Sequence, residues 1–251
     1  MTKLAAFGCS FTDKNFTSTI HKDLDTSYPK WPELLEGDWN AVDNYGIGGC
    51  CNFLMLENAI DTVLNDKKIS TIVVALSNWL RYTLPDGWSV NPAWAMRDHG
   101  YTVENFGERQ VELYEKMLLI EKRFPTITMY VLPRMDRILK LLRALSELCV
   151  YKNKKLIVFQ MLKFADTPNH SLNTAMYTSY LSNKNFYALD DLNVNEKNID
   201  FINWPFIDPM SKIPQRFLEN DKFAVSKLDR HPNALGHQKI SEWIHENAKF
   251  L

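Results

Sequence analysis

The chain has 251 residues, and 45% of them are hydrophobic, which is enough for the core of one large α/β domain or of two small ones. The 29 basic and 30 acidic residues give a formal net charge of -1, so electrostatics favours neither nucleic acid nor a membrane surface as a partner. No apolar run approaches the roughly 20 residues of a membrane span, and the apolar N-terminal segment is too short for a signal peptide. We therefore expect a cytoplasmic protein.

The cysteine and histidine spacing gives no sign of a metal site or of disulfides. The four cysteines are Cys9, Cys50, Cys51 and Cys149. They have neither CxxC spacing nor the pattern of a disulfide framework, so we expect reduced thiols. His237 follows His231 by six residues, but no further ligand cluster accompanies the pair, and we expect a structural role for His237. Nucleotide-binding motifs are also absent, so the sequence predicts no cofactor.

Apolar patterning predicts alternating strands and helices in the first third of the chain. Residues 3–7 form a short apolar strand that runs into a tight loop at 8–10, and 39–44 form a weaker strand that ends in a glycine-rich turn. Over residues 50–65, apolar side chains recur at three- and four-residue steps, which predicts an amphipathic helix. Residues 70–76 contain a continuous β-branched and aliphatic run, typical of a buried parallel strand.

Two polar stretches interrupt this alternation and are predicted to be insertions. Residues 82–107 are rich in Pro, Gly, Asp and Trp without helical periodicity, and residues 165–198 follow neither a helical nor a strand pattern. The remaining predicted elements are helices at 108–124 and 129–151 with Pro133 at a helix start or kink, strands at 155–161 and 199–204, and a closing helix at 233–249.

This order of elements predicts a single domain over residues 1–251, a three-layer α/β/α sandwich with a mostly parallel central sheet. In such folds, ligands bind beyond the carboxyl ends of the strands. Ser10, Gly49 and Asn78 each follow a predicted strand. We therefore expect these three residues to meet at one edge of the sheet.

The residue types at this edge match the requirements of acyl transfer to a serine. Such a reaction needs a hydroxyl nucleophile, a base, a group that orients the base, and donors to the developing oxyanion. Ser10 is the candidate nucleophile, His231 the base and Asp229 the orienting carboxylate. The backbone N–H groups of Ser10 and Gly49 and the side chain of Asn78 are the candidate oxyanion-hole donors.

Four short blocks carry a resemblance to a known family. GCSFT at 8–12, NYGIGGC at 44–50, LSNW at 76–79 and LDRHPNALGH at 228–237 resemble the four sequence blocks of the SGNH (GDSL-like) hydrolases, and the last block is the most specific match. The resemblance implies the SGNH/flavodoxin-like fold and hydrolysis of an ester through an acyl-enzyme. It also assigns the nucleophile, oxyanion-hole and base positions to the residues named above.

One spacing departs from the family and leaves two interpretations open. The family commonly has Asp-x-x-His in its last block, whereas Asp229 lies two residues before His231. Either Asp229 completes a catalytic triad, or a backbone carbonyl holds the imidazole tautomer and the site works as a dyad.

The substrate predicted from the resemblance is a small-molecule or carbohydrate ester, with a carbohydrate O-acetyl group as one candidate. The short, divergent blocks are also similar to those of members encoded by viral genomes. Two other functions stay open. One is a catalytically inactive binding module, suggested because the first and third blocks lack the usual Gly-Asp features, and the other is an acyltransferase. Trp79, Arg81, Trp88 and Trp94 are candidates for substrate binding, with ordinary core or lid packing as the alternative.

Overall fold

The computed structural model describes residues 3–35, 37, 39–79, 81–83, 89–90, 127–162, 198–202 and 213–248, with six positions between 108 and 119. The strands are β1 (Lys3–Gly8), β2 (Ala41–Gly46), β3 (Ile69–Leu76), β4 (Tyr82–Thr83), β5 (Ser89–Val90), β6 (Lys155–Gln160) and β7 (Ile199–Phe201). The helices are α1 (Asn52–Asn65), α2 (Ile127–Tyr151) and α3 (Ala234–Asn247), with 3-10 segments at Glu33–Leu35 and Pro214–Glu219.

The central sheet is parallel throughout its described strands. Five strands are arranged in the order β2-β1-β3-β6-β7, while β4 and β5 form a separate antiparallel pair. The chain leaves β1 for β2 on one side and then returns to β3 on the other side. This reversal makes the carboxyl ends of β1 and β3 the switch point of the sheet, where open α/β sheets bind ligands.

Helices and loops cover both faces of the sheet. In β3, every residue except Ser70 is buried, which requires a layer on each face because successive side chains of a strand point to opposite sides. Helix α1 packs against α2 and against β1 and β3, whereas α3 contacts both 3-10 segments. The three-layer α/β/α prediction is therefore confirmed.

The predicted elements of the first third are present with end shifts of at most two residues. In the second half, α2 begins at Ile127 and runs through Pro133, so Pro133 does not start the helix, and a kink at Pro133 stays a prediction. The predicted insertion at 82–107 contains the β4–β5 pair, and its remaining residues lie outside the described part. Most of the helix predicted at 108–124 also lies outside it, as does the second insertion apart from residue 198.

Among the described residues, no helix is long and apolar enough to cross a membrane.

Candidate active site

Three predicted site residues follow neighbouring strands at the switch point. Ser10 lies two residues beyond the end of β1, Gly49 three beyond β2, and Asn78 two beyond β3. The backbone N–H of Ile47 donates to the carbonyl of Gly8 at 3.1 Å, which continues the β1–β2 pairing into the loops. The parallel sheet thus brings residues from three separate segments to one edge.

Two glycines in these loops are required by space and by backbone conformation. A Cβ on Gly8 would lie 1.9 Å from Oγ1 of Thr12, so only glycine allows the chain to turn this tightly after β1. Gly49 has a φ of 73°, which lies in the left-handed region that glycine adopts readily and other residues rarely adopt. The local sequence therefore fixes the shape of both loops.

A chain of hydrogen bonds links Ser10 to Asp229 through His231. The Ser10 hydroxyl lies 2.8 Å from Nε2 of His231, and Nδ1 of the same ring lies 2.6 Å from Oδ1 of Asp229. The backbone N–H of His231 also donates to that oxygen, at 3.1 Å. The role of Asp229 was left open in the sequence because it lies only two residues before His231. With this spacing, its carboxylate still reaches Nδ1 of the ring.

The ionisation of Asp229 determines the direction of these hydrogen bonds. Burial would raise its pKa, but hydrogen bonds from His231 and from the hydroxyl of Ser18 outweigh this effect and lower the pKa to about 2. An ionised carboxylate can only accept. Nδ1 of His231 therefore carries a proton, and in the tautomer protonated at Nδ1 alone, Nε2 accepts from the Ser10 hydroxyl.

Two aromatic rings flank the imidazole of His231. Phe16 stacks on it with ring centroids 4.2 Å apart and an interplanar angle of 24°, and Phe11 lies at 4.9 Å in a tilted arrangement. The His231 side chain retains 28% of its exposure. The rings limit the orientations of the imidazole while leaving it accessible to a substrate.

Backbone and side-chain contacts hold the loop that carries His231. The N–H of Val225 donates to the carbonyl of His231 at 2.9 Å, and Ala224 forms an isolated antiparallel bridge with Pro232. The hydroxyl of Tyr28 donates to the carbonyl of Pro232 at 2.9 Å. Burial raises the pKa of Tyr28 to about 12, so this donor keeps its proton at neutral pH.

At the predicted oxyanion-hole residues, side chains hold the glycine-rich turn and the end of β3. A carboxylate oxygen of Asp13 accepts the N–H of Gly48 at 3.0 Å, so this amide is used in a hydrogen bond within the loops. The side chain of Asn52 accepts the N–H of Ser77 at 2.6 Å and donates to its carbonyl at 3.1 Å. Asn78, the next residue, is buried with 2% exposure. Its role as an oxyanion donor, like that of Gly49, stays a prediction.

Comparison with solved structures identifies the fold. A catalytic mutant of Axe2, an acetylxylan esterase from Geobacillus stearothermophilus, is 13% identical over 99% of this chain and 94% of its own, with a TM-score of 0.51. TesA is 12% identical over 99% of this chain and 98% of its own, with a TM-score of 0.49. A lipolytic G-D-S-L family protein from Veillonella parvula is 15% identical over the full length of both chains, with a TM-score of 0.45.

This chain has the SGNH (GDSL-like) hydrolase fold. The resemblance predicted from the four sequence blocks is confirmed at the level of the fold. No protein-family model and no curated protein matches the sequence.

The predicted substrate-binding residues occupy different places in the SGNH fold. Trp79 is 1% exposed and donates its indole N–H to Oε1 of Gln160 at 2.8 Å, an arrangement that fits the core-packing alternative. Arg81 is partly exposed, and its guanidinium donates to the carbonyl of Cys50 at 3.3 Å. Trp88 and Trp94 lie outside the described residues.

The remaining predictions concern the thiols and His237. All four cysteines are buried, and none forms a disulfide. Burial raises the pKa of the Cys50 and Cys149 thiols to about 12, which keeps them protonated. Burial also lowers the pKa of His237 to about 3, and its Nδ1 accepts the backbone N–H of Trp31 at 3.2 Å. His237 is therefore a neutral core residue, as predicted.

Sequence analysis missed the segment that packs over His231. Ser18 contacts Asp229, Phe16 stacks on His231, and Asp13 holds Gly48. These residues follow the first SGNH block directly, but their spacing matches no motif. Their nearness to Ser10 in the chain was the only available signal.

Proposed function

We propose that this SGNH-fold chain is a serine esterase that works through an acyl-enzyme at Ser10. The observation that supports this proposal is the hydrogen-bond chain from Ser10 through His231 to Asp229, with distances of 2.8 and 2.6 Å. This arrangement has the nucleophile, base and orienting carboxylate of a serine hydrolase. The partly exposed imidazole of His231 suits the role of base, and the buried carboxylate of Asp229, with its lowered pKa, suits the role of orienting group.

In the proposed reaction, Oγ of Ser10 attacks the ester carbonyl carbon while its proton moves to Nε2 of His231. Asp229 stabilises the imidazolium, and the N–H groups of Ser10 and Gly49 with the Asn78 side chain stabilise the oxyanion. Collapse of the tetrahedral intermediate breaks the ester C–O bond, and His231 returns the proton to the leaving alcohol. Water then attacks the acyl-enzyme by the same base-assisted route and releases the acid.

The proposed substrates are small-molecule or carbohydrate esters, with acetylated sugars as the first to assay. Axe2, which shares the fold, is an acetylxylan esterase. At 13% identity this likeness extends to the fold, so the acyl group and the alcohol both have to be identified by a substrate screen. Aryl acetates and longer aryl esters separate the preference for acyl length from the preference for the alcohol.

The intact hydrogen-bond chain favours an enzyme over an inactive binding module. An inactive relative has no need to keep a serine hydroxyl within 2.8 Å of an imidazole that is itself fixed by a carboxylate. A transferase shares the first half-reaction with an esterase. Product analysis with an added alcohol acceptor distinguishes the two, because transfer yields a new ester in place of the free acid.

The test is labelling of the intact protein by a fluorophosphonate probe, followed by mass spectrometry. We expect one label on the wild type and none on Ser10→Ala or His231→Ala. Ser27→Ala is the matched control, because Ser27 is an exposed serine in the same half of the chain, and it should label like the wild type. A folded wild type that takes no label, and cleaves no ester in the screen, would rule the proposal out.

A further inference from the structure

The carboxylate of Asp229 has a separate partner for each of its oxygens. Oδ1 accepts from the ring and the backbone of His231, and Oδ2 accepts the hydroxyl of Ser18 at 2.5 Å. Ser18 is 4% exposed, so water cannot easily replace its hydroxyl. The orientation of the carboxylate is therefore fixed by both side chains together.

The Ser18 hydroxyl is itself oriented. Its oxygen accepts the backbone N–H of His21 at 2.8 Å, which leaves its hydrogen to point toward Asp229. On the other side of the contact, Ser226 Oγ accepts the N–H of Asp229 at 3.0 Å and lies 2.8 Å from Nε2 of His21. The backbone on both sides of the Ser18–Asp229 hydrogen bond is thus held in place.

We propose that Ser18 is a positioning residue that acts through Asp229 to hold His231 in its reactive orientation. This inference rests on the proposed esterase function. Without the hydroxyl, Oδ2 would be a buried, charged oxygen that has lost its donor, and the carboxylate would rotate toward another donor or toward solvent. Such a rotation weakens the hydrogen bond to Nδ1 of His231, and the imidazole loses its orientation relative to Ser10.

The kinetic test compares Ser18→Ala with a matched variant in the same segment. We expect Ser18→Ala to lower kcat about tenfold with KM little changed, since only the transfer of the proton is impaired. Ser18→Thr keeps the hydroxyl and should restore most of kcat.

Thr26→Val is the control for this comparison. Thr26 is buried, and its hydroxyl donates to the carbonyl of Phe16 at 2.6 Å, but this hydrogen bond does not involve Asp229. An equal loss in Thr26→Val would assign the effect to general loosening of the segment and overturn the proposal.

A double-mutant cycle tests whether Ser18 acts through Asp229. If it does, Ser18→Ala should have little further effect on kcat in an Asp229→Ala background. Losses that multiply independently would contradict the proposal.

A third measurement does not depend on activity. The Nδ1–H proton of His231, observed by 1H NMR, should exchange with water faster in Ser18→Ala than in the wild type or in Thr26→Val. Unchanged exchange would contradict a positioning role. If the wild type cleaves no ester and takes no probe, the esterase proposal fails, and this exchange comparison alone decides the inference about Ser18.

Discussion

At the scale of single residues, the candidate site holds one buried carboxylate in its ionised form. Asp229 is 4% exposed, yet donors from His231 and Ser18 lower its pKa to about 2. Loss of hydration is offset here by directed hydrogen bonds. The ionised carboxylate in turn fixes Nδ1 as the imidazole nitrogen of His231 that carries the proton.

Asp229→Asn should separate a triad from a dyad. The amide is nearly isosteric, but it can donate toward Nδ1 of His231 and so favours the tautomer in which Nε2 carries the proton and cannot accept from Ser10. If Asp229 completes a triad, we expect kcat for an aryl ester to fall by about a thousandfold or more. A loss of less than about tenfold would favour the dyad, in which a backbone carbonyl holds the ring.

The same carboxylate should make stability depend on acid pH. Its folded-state pKa of about 2 lies below the ordinary value of 3.8, so its contribution to stability is present above about pH 4 and is lost as the pH falls toward 2. From the size of this shift, we expect about 2 kcal/mol. Urea unfolding of the wild type and Asp229→Asn should give a difference in free energy that shrinks by about this amount from about pH 5 to about pH 2. A difference independent of pH would contradict this assignment.

At the scale of elements, Asn233 joins the loop that carries His231 to α3. Its Oδ1 caps the helix by accepting the N–H of Gly236 at 2.9 Å. Its Nδ2 donates to the carbonyls of Lys222 and Ala224, each at 2.9 Å. One side chain thus fixes the start of the helix and the loop before it, which positions His231 between them.

Two substitutions at Asn233 separate the cap from the loop contacts. Asn233→Ala removes both and should lower the free energy of unfolding by about 2 kcal/mol, whereas Asn233→Ser keeps a cap acceptor and should lose about 1 kcal/mol. Chemical denaturation measures both values. Equal losses would mean that the cap to Gly236 contributes nothing or that serine does not cap this helix, whereas no loss in Asn233→Ser would mean that the contacts to Lys222 and Ala224 contribute nothing.

At the scale of the whole molecule, aromatic packing connects the segments that form the site. Phe159, on β6, is fully buried and packs edge-on against Trp31 at 5.6 Å and Trp243 at 5.7 Å. Trp31 belongs to the segment that follows Ser18, and Trp243 lies on α3. The core therefore connects to the sheet both the segment that packs over His231 and the helix that follows it.

Phe159→Ala should lower the free energy of unfolding by about 3 to 5 kcal/mol, because the cavity removes ring contacts on both sides. Phe159→Leu keeps most of the apolar volume and should cost less than about 1.5 kcal/mol. Urea denaturation followed by tryptophan fluorescence provides the measurement. A loss below about 1 kcal/mol in Phe159→Ala would mean that the ring is not part of a tightly packed core.

The sequence by itself was enough to predict the layered fold and the grouping of its loops. Continuous apolar runs indicated buried parallel strands, and the helical periodicity of α1 was visible because one face is core and the other is solvent. Since parallel strands share one carboxyl edge, Ser10, Gly49 and Asn78 were predicted to converge from their positions after strands. His231 was predicted from its sequence block, without geometric information.

Only the tertiary structure decided how the side chains are arranged around that edge. The reach of Asp229 to Nδ1 of His231 depends on loop dihedral angles that residue spacing does not encode. The contact of Ser18 with Asp229 joins residues 211 positions apart, and no local pattern marks such a pair. In the sequence, a tryptophan such as Trp79 fits a pocket wall and a core position equally well. Its burial was settled by how the chain packs around it. Local patterns fix elements, whereas contacts between distant segments exist only once the chain has folded.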